Sequence, residues 1–253
     1  MAGLCNSTSV LIGIDDTDNL QSRGTGFRAR QLGRLLMDSG LARLRCISRH
    51  QLHVSPLIPY TSHNSSACLA VDADADALEA LARCCRDYLT RESASGSDAG
   101  LCIVRAAHVH PTVAAFGRDA KHTVLDQEQA GVLAARQAIL LEGLTGDHNG
   151  IIGALAAVGL HSDGNDGRLL WLPGLREAAG TQQSLETLKD TMGVDALSDI
   201  DGREVGEPGD IVELGPWPRA VRRGGRATLL VEENHGGQIA RWRVAPKSVI
   251  KAY

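Results

Sequence analysis

Aromatic residues are scarce in this sequence, whose 253 residues include three tryptophans, three tyrosines and two phenylalanines. The core must therefore be built mainly from alanine, valine, isoleucine and leucine. With 43% hydrophobic residues, the chain has enough of them for one large domain or two modest ones. A basic excess is also absent, because the formal net charge is −4. Proteins that bind nucleic acid mainly through phosphate contacts are usually basic, so any such partner must meet a local patch or a separate domain.

Paired cysteines of the zinc-ribbon type are missing as well. No C-x-x-C pair occurs among the six cysteines, which are Cys5, Cys46, Cys68, Cys84, Cys85 and Cys102. Several lie in apolar runs, which predicts buried, reduced thiols. No run approaches the roughly 20 apolar residues of a membrane span, and the opening residues MAGLCNSTS lack the basic and apolar segments of a signal peptide. We expect a cytoplasmic protein without a membrane partner.

The first hundred residues alternate between the patterns of strands and helices. Apolar residues at helical spacing indicate helices, and short apolar or alternating runs indicate strands. The predicted elements are strands over 9–14, 44–54, 66–71 and 101–106, with helices over 26–37 and 74–90. Their order is β-α-β-β-α-β, which is the ferredoxin-like order. The sequence therefore predicts an α/β (α+β) protein with a ferredoxin-like N-terminal part.

Beyond this part, the pattern predicts added helices and then a β-rich end. Residues 127–141 are expected to be helical, and IIGALAAVGL at 151–160 is a helix of small residues that can pack closely on a sheet. A short strand is expected over 168–172. After about residue 202, glycine and proline become frequent and short runs alternate apolar and polar residues, which predicts a small, mostly β C-terminal section.

The stretch VLIGIDDTDN, at residues 10–19, leads from a buried strand directly into Asp15, Asp16 and Asp18. Two like charges 4 Å apart repel by roughly 4 kcal/mol at an effective dielectric constant near 20, so a cation is expected to bind among them. Mg²⁺ prefers one or two carboxylates together with waters and phosphates, and ligands gather at the carboxyl ends of strands. We predict that these three residues are catalytic and bind metal. The alternative is that Asp15 and Asp16 cap a turn and Asp18 caps a helix.

The loop that follows supplies groups suited to phosphate. Gly24 and Gly26 allow a close approach of the backbone, Gly26 lies near a helix start whose N–H groups attract anions, and Arg23 adds positive charge. Together with the carboxylates, they predict a nucleotide-phosphate site. No GK[ST] follows, so this is not a Walker A loop. A haloacid-dehalogenase phosphatase is disfavoured, because the spacing here is D-D-x-D and the expected threonine is missing.

Three further residues are candidates for ligand contact. His63 and Asn64 can orient a phosphate or a carbonyl group, although they are equally consistent with a polar turn. Lys121 follows an apolar run and can reach a phosphate, although a solvated helix end fits it better.

Three segments, in order, resemble a known family. VLIGIDDTDN at 10–19 matches a strand followed by IDDTDS, SPLIPYTSHNSSA at 55–67 is similar to NPxxPxKTRGNAA, and NGIIGALAAVG at 149–159 is similar to RGLIGALAAVG. RLLWL at 168–172 falls where the family has a short apolar strand, and the likeness is faint beyond about residue 175. The family is that of the archaeal-type isoleucine-tRNA agmatinylcytidine (agmatidine) synthetases.

The resemblance implies a fold and an activity. It implies a kinase-like nucleotide-binding domain over 1–147 and a ferredoxin-like substrate domain with a β-rich end over 148–253. The family uses ATP to phosphorylate a tRNA wobble cytidine, and agmatine then displaces the phosphate. By position, Asp15, Asp16 and Asp18 would hold Mg²⁺-ATP, and Thr25 falls near a threonine that the family's kinase domain phosphorylates on itself. Gly150 would contribute to the cofactor site.

Departures from the family pattern leave the substrate open. Thr61, Ser62 and His63 replace its Lys-Thr-Arg, so two cations are lost, and Asn149 stands in place of an arginine. We therefore expect an ATP- and Mg²⁺-dependent ligase or kinase-like enzyme that acts on tRNA or on a smaller substrate, with a small-molecule amine as a further partner. The alternatives are a non-catalytic nucleotide- or small-molecule-binding module and a metal-dependent phosphohydrolase.

Overall fold

A continuous apolar run over residues 10–14 forms the central strand of the fold. The computed structural model describes residues 7–58, 63–236 and 239–253, and in it Val10, Ile12 and Ile14 are fully buried on one face of that strand. The chain divides into two compact units, Met1–Asp163 and Gly164–Tyr253.

The described strands of the first unit form an antiparallel sheet in the spatial order β5-β4-β1-β3-β2. The strands are β1 Ser7–Asp15, β2 Ala42–Gln51, β3 Ser65–Asp74, β4 Gly100–Arg105 and β5 Leu140–Gly143. The helices are α1 Thr25–Asp38, α2 Leu78–Glu92, α3 Pro111–Asp119, α4 Gln127–Arg136 and α5 Gly150–Asp163, with single 3-10 turns at Ala75–Ala77 and Ala106–His108. The predicted α+β class and the β-α-β-β-α-β order are confirmed.

Small residues let α5 lie directly on the sheet. A Cβ atom at Gly13 would overlap the backbone carbonyl of Ala154, so β1 and α5 approach more closely than larger side chains would permit. Because side chains alternate along a strand, Asp15 lies on the same face of β1 as Gly13, toward α5. This packing fixes where the first carboxylate is held.

The helix predicted over 127–141 was too long. It ends at Arg136, and Ala138 has the left-handed φ of 51° that is common at a helix C-terminus. Leu140 and Leu141 then pair with Ile103 and Cys102 of β4. Leu140 and Leu141 fit a helical period locally. They form an edge strand instead, because β4 has an edge beside them that is otherwise unpaired among the described strands.

The cysteines are reduced wherever the structure describes them. Cys46, Cys68, Cys85 and Cys102 are buried thiols, Cys84 is a partly buried one, and Cys5 lies outside the described residues. None of the described helices is long and apolar enough to cross a membrane.

The second unit is mostly β and includes the β-rich section that the sequence predicts after about residue 202. Its strands are β6 Arg168–Trp171, β7 Gln182–Ser184, β8 Ala196–Ser198, β9 Glu204–Val205, β10 Ile211–Glu213, β11 Ala220–Arg223, β12 Arg226–Glu233 and β13 Trp242–Val244, and its helices are α6 Leu185–Asp190 and α7 Lys247–Ile250. A tight turn joins β11 and β12, in which Gly224 and Gly225 have φ values of 57° and 75°. The functional domain boundary expected after residue 147 stays a prediction, and α5 belongs to the first compact unit.

Candidate functional site

A cavity of about 180 Å³ opens at the carboxyl end of β1, within the first unit. Eight of the residues predicted from the sequence line it: Asp15, Asp16, Asp18, Thr25, His63, Asn64, Asn149 and Gly150. The remaining lining consists mostly of apolar residues from the 52–58 and 120–125 loops and from the start of α5. The cavity thus has one acidic wall and one largely apolar wall.

Asp15 is held in a space that only glycine can provide. A Cβ atom at Gly153 of α5 would overlap the Asp15 Oδ2 atom. Burial, and after it the neighbouring Asp16 carboxylate, raises the pKa of Asp15 to about 7, against the opposing effect of the Asp16 backbone N–H. A cation bound beside Asp15 would stabilise its ionised form against the effect of burial.

Asp16 turns the chain sharply into the cavity. Its φ of 48° lies in the left-handed region, which aspartate tolerates better than most residues. Burial, followed by the carboxylates of Asp98 and Asp18, raises the pKa of Asp16 to about 6, while a hydrogen bond from the Asp98 backbone N–H lowers it. Two adjacent carboxylates therefore share a partly dry site. No arginine or lysine is among the described residues that line the cavity, and the positive charge of Arg49 lowers the pKa of Asp15 against the effect of burial.

Asp18 is bound to the start of α1. Its Oδ1 atom accepts hydrogen bonds from the Thr25 backbone N–H, at 3.0 Å, and from the Thr25 hydroxyl, at 2.9 Å. The Thr25 oxygen in turn accepts from the Thr17 hydroxyl at 3.2 Å. One oxygen of Asp18 thus binds the start of a helix, as the helix-capping alternative predicts.

The acidic wall fits a hard divalent cation. Oxygen donors in a partly dry site suit Mg²⁺, which needs only one or two carboxylates when waters and phosphates complete its shell. Asp15 and Asp16 meet that need. Among the described residues, no group of three or more His, Cys, Asp or Glu side chains could hold a metal ion by itself. The predicted metal role of all three aspartates stays a prediction.

The rest of the described lining is largely apolar and partly open to solvent. Leu52, Ile58 and Leu125 line it, while Leu57 and Val124 are 78% and 47% exposed at its rim. Exposed leucine and valine side chains at the mouth of a cavity suit a ligand with a flat or apolar body.

Asn64 holds the loop that carries this apolar wall. Its Nδ2 atom donates to the His53 backbone carbonyl at 2.6 Å, and the backbone carbonyl of Asn64 accepts from the Leu52 backbone N–H at 2.9 Å. His63 is exposed at the edge of the cavity. The side-chain amide of Asn64 therefore shapes the cavity as well as lining it.

The first N–H groups of α5 are already bonded. Gly150 donates to the Asp98 carbonyl at 2.9 Å, Ile151 to His148 at 3.2 Å and Ile152 to the Asn149 carbonyl at 3.2 Å. These backbone N–H groups are therefore not available to a ligand. The side chain of Asn149, which precedes the helix, lines the cavity instead.

Four predicted contact residues lie outside the cavity lining. Arg23 is exposed, with its guanidinium 4.6 Å from the centroid of the Phe27 ring. Gly24 lies near Asp18, since a Cβ there would be 3.9 Å from Asp18 Oδ2. Gly26 lies in the first turn of α1, and Lys121 follows the lining residue Ala120. Their roles in binding stay predictions, and the cavity lining contains no arginine or lysine of the described residues.

Three residues that shape the site were not predicted from the sequence: Asp98, Gly153 and Gln127. Gly153 was one of many small residues in a helix, and Gln127 was the first position of a predicted helix. A signal for Asp98 did exist: in the ferredoxin-like order β4 lies beside β1, so the residues just before β4 meet the residues that end β1. Asp15 indeed pairs with Gly100, the first residue of β4.

Comparison with known proteins gives a fold likeness alone. No protein-family model and no curated protein sequence matches this chain. Among solved structures, a complex of TiaS with an isoleucine tRNA and ATP matches with a TM-score of 0.52 and 23% identity over 60% of this chain. A complex of TiaS with that tRNA, AMPCPP and agmatine has a TM-score of 0.52 at 22% identity, and a tRNA fluorescent labeling enzyme has 0.51 at 23%.

The matched part is limited in both directions. This chain spans 36% of the length of each of those three chains. The comparison therefore establishes that 60% of the chain folds like part of TiaS, which an apo structure describes as a tRNA agmatidine synthetase.

Proposed function

We propose that the first unit binds ATP with Mg²⁺ and transfers a phosphoryl group to an oxygen acceptor. The observation that carries this proposal is the pairing of Asp15 and Asp16 on one wall of a cavity whose other wall is apolar. A magnesium nucleotide has both features, because its phosphates need a cation and its base is flat and largely apolar. The likeness to TiaS structures that contain ATP or AMPCPP gives further support.

The residues of this chain act mainly by positioning. Asp15 and Asp16 would hold the cation, and Leu57, Ile58 and Val124 would enclose the base and exclude water. Bound Mg²⁺ would supply neutralisation of the phosphate charge, which is the main requirement of phosphoryl transfer. No strong general base is needed at such a site.

Thr25 is the acceptor that the protein itself offers. Its hydroxyl lines the cavity and donates to Asp18 Oδ1 at 2.9 Å. In the proposed step, the Thr25 proton passes to Asp18 and Oγ1 bonds to the γ-phosphorus. The bond from that phosphorus to the bridging oxygen breaks, and ADP leaves. For an external acceptor, the corresponding proposal is transfer to an oxygen atom of tRNA or of a smaller substrate in the cytoplasm. An amine would then attack and displace the phosphate.

A second candidate is a nucleotide- or small-molecule-binding module without catalysis. One observation favours it: the described lining carries no arginine or lysine that could stabilise the charge developing on a transferred phosphoryl group. His63 and Asn149 stand where the resembling family has cations.

Two measurements separate these candidates. Calorimetric titration of ATP, with and without Mg²⁺, against the wild type and Asp16→Asn should show Mg²⁺-dependent binding that the variant loses. ATP labelled in the γ-phosphate should then transfer its label to Thr25 or to added tRNA if the protein is a kinase or ligase. Label that stays in ATP indicates the binding module, label released as free phosphate indicates a hydrolase, and absence of ATP binding contradicts the proposed ATP-dependent function.

A further inference from the structure

The side-chain amide of Asn149 is held from two sides. Its Nδ2 atom donates to Asp98 Oδ2 at 2.8 Å, and its Oδ1 atom accepts from Gln127 Nε2, also at 2.8 Å. Asn149 lines the cavity, whereas Asp98 and Gln127 lie behind it and do not. We call these three residues the amide clamp.

The partners leave the amide a single orientation. An ionised Asp98 can only accept, so the NH₂ end of Asn149 must face it. Gln127 Nε2 also donates to the Asp147 backbone carbonyl at 2.8 Å, and that carbonyl too can only accept. The oxygen of Asn149 must therefore face Gln127. An amide that could otherwise flip is fixed by two groups without donors.

Asp98 links the clamp to the acidic wall. Its backbone N–H donates to the Asp16 carboxylate, and its backbone carbonyl accepts from the Gly150 N–H. Its Oδ1 atom accepts from the Asp147 N–H at 2.8 Å. A Cβ atom at Gly146, whose φ is +56°, would overlap Asp98 Oδ1. The surroundings therefore leave space for this carboxylate and use both of its oxygens.

We infer that Asp98 is a positioning residue, and Gln127 a second one, that aim the remaining Nδ2–H of Asn149 at a phosphate oxygen of the bound nucleotide. Asp15, Asp16 and Asp18 present acceptors to the cavity when they are ionised, so a donor held beside them complements the acidic wall. A phosphate oxygen is the acceptor that suits such a donor. Here an oriented neutral amide takes the part that a guanidinium can play at other phosphate sites.

This inference rests on the proposed function for its ligand and on the clamp for its geometry. A purely structural clamp would merely hold the loop between β5 and α5. The structural role and the positioning role can be separated by a double variant in which Asp98 and Asn149 exchange their side chains.

Three variants test the inference. In Asp98→Asn, one hydrogen bond is lost whichever way the new amide turns, because it must face two donors with a single oxygen. In Asn149→Asp, two carboxylates face each other. The double variant Asp98→Asn/Asn149→Asp restores every bond of the clamp: the new amide donates to residue 149 and accepts from the Asp147 N–H, and residue 149 accepts from Gln127.

We expect the double variant to recover the melting temperature that each single variant lowers. Its affinity for Mg²⁺-ATP should nevertheless stay about tenfold or more below that of the wild type, because residue 149 now offers the cavity only acceptors. Asp147→Asn is the matched control, since its exposed side chain lies in the same loop and outside the clamp. It should change neither quantity appreciably.

The outcomes separate the two proposals. Recovery of both stability and affinity in the double variant would mean that the clamp is structural, and the inference is overturned. Failure of the double variant to recover stability would refute the hydrogen-bond assignment itself. If the wild type binds no Mg²⁺-ATP, the proposed function fails and the phosphate ligand of Asn149 fails with it, while the melting temperatures still report on the clamp.

Discussion

The Asp15 carboxylate occupies the space that a side chain at Gly153 would fill. One residue ends a strand and the other lies in the first turn of the helix packed over that strand. The acidic wall of the cavity therefore depends on a glycine that carries no functional group.

Gly153→Ala should displace Asp15 and weaken the site. The new methyl group would overlap Asp15 Oδ2, so the carboxylate or the helix must move. We expect a loss of stability of about 1–3 kcal/mol, measured by urea unfolding, and a loss of Mg²⁺-dependent ATP binding. Gly131→Ala in α4 is the control, since a Cβ atom at Gly131 would have no other heavy atom within 4 Å. Unchanged Mg²⁺-ATP affinity in Gly153→Ala would contradict the assigned role of Asp15.

The raised pKa of Asp15 predicts a stability that falls with rising pH. The folded protein retains a proton on Asp15 up to about pH 7, whereas the unfolded chain releases it near 3.8. Between these values the unfolding free energy should fall by up to about 1.4 kcal/mol per pH unit. Asp15→Asn removes this term, so its melting temperature should exceed that of the wild type at pH 8 and not at pH 4.

Added Mg²⁺ should reduce that difference. A cation bound by the ionised form of Asp15 stabilises the folded wild type at pH 8, while Asp15→Asn gains less from it. Scanning calorimetry at both pH values, with and without Mg²⁺, measures the four cases. A wild-type melting temperature at pH 8 that does not respond to Mg²⁺ would argue against a cation site there.

Thr25 should be needed both for the start of α1 and for self-labelling. Thr25→Val keeps the size of the side chain and removes the hydroxyl that bonds Asp18 and Thr17. We expect it to lose about 1–2 kcal/mol of stability and to accept no label from γ-labelled ATP. Thr25→Ser retains the hydroxyl and should keep most of both properties. Labelled Thr25→Val would show that the acceptor is elsewhere.

The exposed apolar rim should bind the ligand and contribute little to stability. Leu57 is 78% exposed, so Leu57→Ser should leave the melting temperature nearly unchanged. If the rim covers the base, affinity for ATP should fall several-fold, as measured by calorimetry. Ile239→Ser is the matched control, because Ile239 is 73% exposed in the second unit. Equal ATP affinities for the wild type, Leu57→Ser and Ile239→Ser would contradict a role of the rim in ligand binding.

Much of the fold follows from local patterns. The apolar run before Asp15 and the helical spacing in α1 and α2 are each determined by neighbouring residues, and each was predicted. The helix predicted over 127–141 was wrong at its end, because Leu140 and Leu141 are used by the edge of a sheet that no local window contains.

The sequence by itself determined that three carboxylates follow a buried strand and that a β-α-β-β-α-β unit surrounds them. Only the tertiary structure decided which groups meet those carboxylates. Asp98 reaches Asp16 because β4 pairs with β1, and Asn149 and Gly153 reach the same cavity because small residues let α5 lie against the sheet. Hydrogen bonds act over about 3 Å, so contacts between residues more than 80 positions apart depend on strand pairing and helix packing rather than on sequence spacing.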